Sequence, residues 1–156
     1  MVSMPIAFSQ RFPFQAKAVF RWATDYQPND LELMGQRGKR KIVALPGNAF
    51  VLSDTLFKTD GTKVTKKKLV RIFPKRLTWT NTHLAGPNQY SQVLYQLVAE
   101  GRNRSRLDFT GQHVEARTLA GRELQHFAAR VRRDDIAIWK NLARAMGKDR
   151  RTRPVE

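Results

Sequence analysis

The stretch Leu119–Met146, LAGRELQHFAARVRRDDIAIWKNLARAM, decides the fold reading. At about 100° per residue, Leu124, Phe127, Ala128, Val131, Ile138, Trp139, Leu142 and Met146 fall on one face, the signature of a long amphipathic helix. Asp135 lies near the middle of that apolar stripe. Upstream, from Lys39, the period changes. KRKIVAL is bounded by PGN, AFVLSDTLF by TDG, and TKVTKKKLVRIF by PKR. Leu77–Val98, LTWTNTHLAGPNQYSQVLYQLV, reads as two strands about a turn, and SRLDFTGQHVEA follows the turn GRNR. Asp60-Gly61 between two β-rich runs is a strong hairpin signal. Six consecutive antiparallel strands are expected, then the helix. Ahead of them, FSQRFPF (Phe8–Phe14) reads as a short strand. Two short helices follow, the second with Pro28 near its start and Gly35 at its stop.

Composition narrows the classes. The 156 residues are 41% hydrophobic, enough for a core, and contain no cysteine, which excludes disulfides and thiolate metal sites. The three histidines are His83, His113 and His126; they are scattered, so no metal is expected. No phosphate loop or nucleophile elbow is present, and no cofactor is expected. Neither a signal peptide nor a run long enough to span a bilayer is visible, so the expected location is cytoplasmic. One domain is expected over residues 1–147, with 148–156 as a basic, flexible tail. The formal charge of +16 attracts polyanions, either nucleic acid or anionic membrane. Much of it lies between Lys58 and Arg76, where Lys63, Lys66, Lys67 and Lys68 form the best landing place. The blander reading of that run is a solvated edge.

This order of elements resembles the START-like, or SRPBCC, superfamily: the helix-grip fold of pollen-allergen proteins, lipid-transfer domains and polyketide cyclases. The resemblance spans about Ile6 to Met146. It is carried by FPFQAKAVFRWATDY, similar to the family's opening strand and helix with an aromatic at Trp22, and by SRLDFTG, which resembles its penultimate strand. It implies an α+β fold, a curved antiparallel sheet wrapped around the C-terminal helix, with a cavity between them. It also implies a hydrophobic or amphipathic small-molecule partner, such as a lipid or polyketide, and the function expected is to carry or sense that molecule without catalysis. Two rival readings are a cyclase or aromatase using His83 and Asp135 as acid and base, and polyanion binding through the basic hairpin.

If the strand holding Trp79, Asn81 and His83 looks into such a cavity, then Trp79 and Tyr95 offer stacking surfaces, and Asn81, His83 and Asp135 fix the polar end. Phe109 and Trp139 either line this cavity or fill it. Asp54 shares a face with Phe50, Leu52 and Leu56 and is the better inward acid; Asp108 alternates out of step. Arg71 alternates with Leu69 and Phe73, so it reads as inward and able to grip a carboxylate. The opposite register, burying Val64, Val70 and Ile72, competes with it, and one residue of slip exchanges the two faces. Asp135 is costly in an apolar stripe unless it is ion-paired, with Arg71 or Arg106 as partners, or faces a wet pocket.

Overall fold

A computed structural model describes residues 1–149. Its order is β1 (Val2–Phe12), α1 (Ala16–Thr24), α2 (Asp30–Leu33), β2 (Gly38–Leu45), β3 (Ala49–Phe57), β4 (Lys63–Phe73), β5 (Thr78–Ala85), β6 (Gln92–Ala99), β7 (Ser105–Glu115) and α3 (Gly121–Lys148). The seven strands form one sheet in the order β1-β7-β6-β5-β4-β3-β2, and every pairing is antiparallel. Consecutive strands from β2 to β7 are neighbours, the expected meander, and β1 closes on β7. The first strand is longer than the expected Phe8–Phe14. Met4 and Ile6 alternate inward with Phe8, so the pattern begins at Val2 and ends before Pro13.

Turn chemistry makes the meander. Asp60 accepts hydrogen bonds from the Thr62 amide (2.9 Å) and hydroxyl (2.6 Å), and Gly61 takes φ +84° beside it. The β5–β6 turn uses Gly86 at φ +113°, and the backbone of His83 then pairs with Ser91 and Tyr90. In the middle of β7, a Cβ on Gly111 would lie 2.6 Å from the Gln92 carbonyl oxygen, so this position keeps β6 and β7 in close register.

The concave face holds the core. Across the sheet run Ile72, Trp79, Tyr95, Phe109 and Phe8, each opposite the next. Trp139, Leu142 and Met146 of α3 are buried against this face. The helices are latched at their far ends. Trp22 of α1 donates to Asp149 (2.9 Å), and Asn141 of α3 donates to the Met34 carbonyl beside α2 (3.2 Å). No helix among the described residues is long and apolar enough to cross a membrane. Lys148 ends α3, while 150–156, most of the expected tail, lie outside the described residues.

Candidate ligand cavity

Between the sheet and α3 lies a cavity of about 170 Å³, reached by side chains from the strands and all three helices. One side is aromatic. Trp79 stacks on Tyr95 (4.8 Å between ring centroids, 9° between planes), and Tyr95 meets Phe109 edge-on at 5.4 Å. Trp139 of α3 lies 5.6 Å from Tyr95 and 6.2 Å from Trp79. All four rings border the cavity.

Further along the same strands the lining is polar. Asn81 and His83 point inward with Trp79, as period-two alternation requires, while Thr78, Thr80 and Thr82 take the convex face. Asn81 Oδ1, His83 Nδ1 and Asn88 Oδ1 are buried without a well-formed hydrogen bond, His113 Nε2 has only the Glu115 carboxylate at 3.6 Å, and all four residues line the cavity. Buried polar atoms are seldom left unpaired, and each unpaired one costs about 1–3 kcal/mol. Burial, aided by the charge of Lys68, pushes the His83 imidazole down to about 4, so it is neutral at neutral pH.

Asp135 borders the same cavity from α3. Arg106 is instead committed to Asp108 and Glu100 on the outside, and Arg71 is exposed. Neither pairs with Asp135. Burial, then the neighbouring Asp134 charge, pushes the Asp135 carboxyl up to about 6. A native state that holds the proton more tightly than the unfolded chain is penalised above that value. The penalty fades as pH falls through about 6 toward the ordinary carboxylate range. Asp135→Asn should therefore raise stability by on the order of 2–3 kcal/mol at pH 8, with the gain vanishing near pH 4. Urea titrations of both proteins at the two pH values would show it; a gain of the same size at both rules out this account of Asp135.

Three expected placements need correction, and they share one cause. Val70 is fully buried, so β4 takes the register that faces Val64, Val70 and Ile72 inward. Arg71 consequently points outward and cannot contact a ligand in the cavity. By the same parity Lys66 and Lys68 line the cavity instead of standing on a polyanion-facing surface. Lys63 and Lys67 are exposed as expected. A shift of register between Lys67 and Lys68, opposite Ala85 and His83, marks a bulge at this point.

Asp54 is 1% exposed, faces inward, and does not itself line the cavity. Arg40 grips it with two hydrogen bonds (2.8 and 2.9 Å), and Lys68 Nζ stands 3.3 Å away. Burial alone would raise its pKa; the Arg40 hydrogen bond and the Lys68 charge outweigh burial and hold it below the usual range. Arg40 also lies 3.7 Å from Asp30 of α2, which ties the network to the short helices. Sequence reasoning missed Arg40, although its alternation with Ile42 was a signal. It also missed Tyr26, Asn88 and Ser91, which lie in helix-end and turn segments without periodicity.

No family model and no curated protein sequence matches the chain. Solved structures do. The Zhui aromatase/cyclase from Streptomyces sp. R1128 superposes with a TM-score of 0.78 at 14% identity, covering 94% of this chain and 95% of its own. A START superfamily protein from Mycobacterium smegmatis gives 0.73 at 11% identity, covering 92% and 97%. This is the helix-grip fold of the START-like, or SRPBCC, superfamily. Norcoclaurine synthase from Thalictrum flavum, solved with dopamine and hydroxybenzaldehyde, shares the helix-grip fold at a TM-score of 0.68 and 12% identity, covering 96% of this chain and 89% of its own. In this chain the gripped helix is α3, and the cavity lies where the sheet and α3 diverge.

Proposed function

We propose that this protein binds and carries, or senses, an amphipathic small molecule in the cavity between the sheet and α3, without transforming it. The carrying observation is the mixed lining of the cavity: stacked rings beside the polar side chains of Asn81, His83, Asn88 and His113. Such a site rewards a ligand with a flat apolar body and a polar head. Volume limits its size. A dry cavity of about 150 Å³ accommodates benzene, so about 170 Å³ suits a one-ring molecule with a short arm better than a two-chain lipid. Burying the apolar part contributes about 25 cal/mol per Å².

A second reading, cyclase-type catalysis, draws on the neutral His83 and the proton-retaining Asp135 beside one cavity.

The test is mass spectrometry of the purified, salt-washed protein under native and denaturing conditions, alongside a Val93→Trp variant. Val93 lines the cavity, so a tryptophan there fills it. A small molecule released from the wild type on denaturation and absent from the variant supports the reading. A bare wild-type protein that also fails to take up any one-ring aromatic probe in the cavity rejects it.

A further inference from the structure

We infer that the ligand of this cavity carries an anionic group, such as a carboxylate, and that Lys66 is the residue that receives it. This rests on the ligand-binding reading above and adds a charge to the ligand. Three cations reach the concave face at this end, Arg40, Lys66 and Lys68, and their partners differ. Arg40 is held by Asp54 in two hydrogen bonds and approaches Asp30. Lys68 stands 3.3 Å from the same Asp54. Lys66, two residues along the same strand face, has no ion pair within 4 Å and no hydrogen bond among the described residues. Asp54 is directly opposite it in register, but that carboxylate is already shared by the other two cations.

Asp135 faces the lysines from α3 and attracts Lys66 without closing to ion-pair distance. A half-buried ammonium without a close partner is costly, and its own proton affinity is lowered, first by burial and then by Lys68. An anion arriving in the cavity relieves that cost at Lys66, whereas a neutral molecule of the same shape does not. The aromatic end of the cavity then receives the rest of the ligand, so charge and ring are read by opposite ends of one site.

The adjacent lysine supplies the control. Lys67 carries the same charge but is exposed on the convex face, where it faces Ser53 across the strand pair. A general attraction of anions to the +16 protein acts through Lys67 as much as through Lys66. A cavity site acts through Lys66 alone.

The experiment titrates ¹⁵N-labelled protein with cinnamate and with the neutral cinnamamide at pH 7, following chemical shifts of the cavity strands. Wild type and Lys67→Met should bind cinnamate more tightly than cinnamamide, and Lys66→Met should lose roughly 10- to 100-fold in cinnamate affinity, as for a charge-assisted hydrogen bond. Cinnamamide binding by Lys66→Met, unchanged from wild type, shows that the variant is folded with its cavity intact. Lys66→Arg should recover part of the cinnamate preference. Equal affinity of wild type for the two probes, or equal losses from Lys66→Met and Lys67→Met, overturns the charge assignment and leaves ligand binding standing. Failure of both probes to bind a wild type that also carries no small molecule by native mass spectrometry overturns the binding reading itself.

Discussion

Asp54→Ala should destabilise the protein by about 3–5 kcal/mol, because it strips two buried cations of their shared counter-ion. Arg40 is 3% exposed at its side chain and Lys68 14%, so cavity water and the more distant Asp30 (3.7 Å from Arg40) replace the lost carboxylate only in part. The Coulombic attraction need not stabilise the fold relative to an apolar core; the cost comes from breaking the set and leaving charge unmatched. Against a typical total of about 5–15 kcal/mol, such a loss brings a small domain close to unfolding at 37 °C. Urea denaturation followed by circular dichroism measures it. Asp54→Asn keeps one acceptor oxygen for Arg40 and should lose somewhat less. Replacing Arg40, Asp54 and Lys68 together by Met, Leu and Met should restore most of the stability. A loss below about 1 kcal/mol in Asp54→Ala means that the two cations find other partners, and the network described here is then wrong.

Trp79→Ala should cost about 3–5 kcal/mol as well, by a different mechanism. The side chain is 1% exposed and sits at the junction of the sheet with two helices. Its ring stacks on Tyr95, meets Phe20 of α1 edge-on at 5.8 Å, and contacts Trp139 of α3 at 6.2 Å. Truncation removes a large apolar surface and opens a void that joins the existing cavity, since the strand backbones cannot collapse to fill it. Trp79→Phe retains a ring and should lose distinctly less. Thermal unfolding with and without added indole gives a second readout. Indole should raise the melting temperature of Trp79→Ala more than that of the wild type, by occupying the space its own ring leaves. An alanine variant as stable as the wild type would falsify the placement of Trp79 at the centre of the core.

The two effects divide the interior of the sheet by chemistry. Trp79 belongs to a row whose burial stabilises the fold, and Asp54 to a row whose charges must all be present or all absent. Asn81 and His83 border the cavity beside them, each with a buried atom that lacks a well-formed hydrogen bond. Placing a polar end beside an aromatic end costs some stability, as functional sites commonly do.

Much of this was legible in local sequence. The helix from Leu119 to Met146 announced itself by its period, and the hairpins by Asp60-Gly61 and the glycine turns. The inward set Trp79, Asn81, His83, Tyr95, Phe109 and Trp139 followed from alternation and from the resemblance, and all six border the cavity. Their role toward a ligand is the proposal above.

By itself, then, the sequence determined the order of elements, the antiparallel meander and the amphipathic helix that closes it, because each depends on contacts a few residues apart. Only the tertiary structure decided which face of β4 looks inward. One face, Val64, Lys66, Lys68, Val70 and Ile72, has three apolar and two basic residues; the other, Lys63, Thr65, Lys67, Leu69, Arg71 and Phe73, has two apolar, three basic and a threonine, a difference too small for hydrophobicity alone to fix the register. The choice came from across the sheet: Leu52 and Asp54 on one side, Asn81 and His83 on the other, and a bulge at Lys67/Lys68 that aligns them. A strand's register is a property of its neighbours, and here it moved two lysines from the expected surface into the cavity.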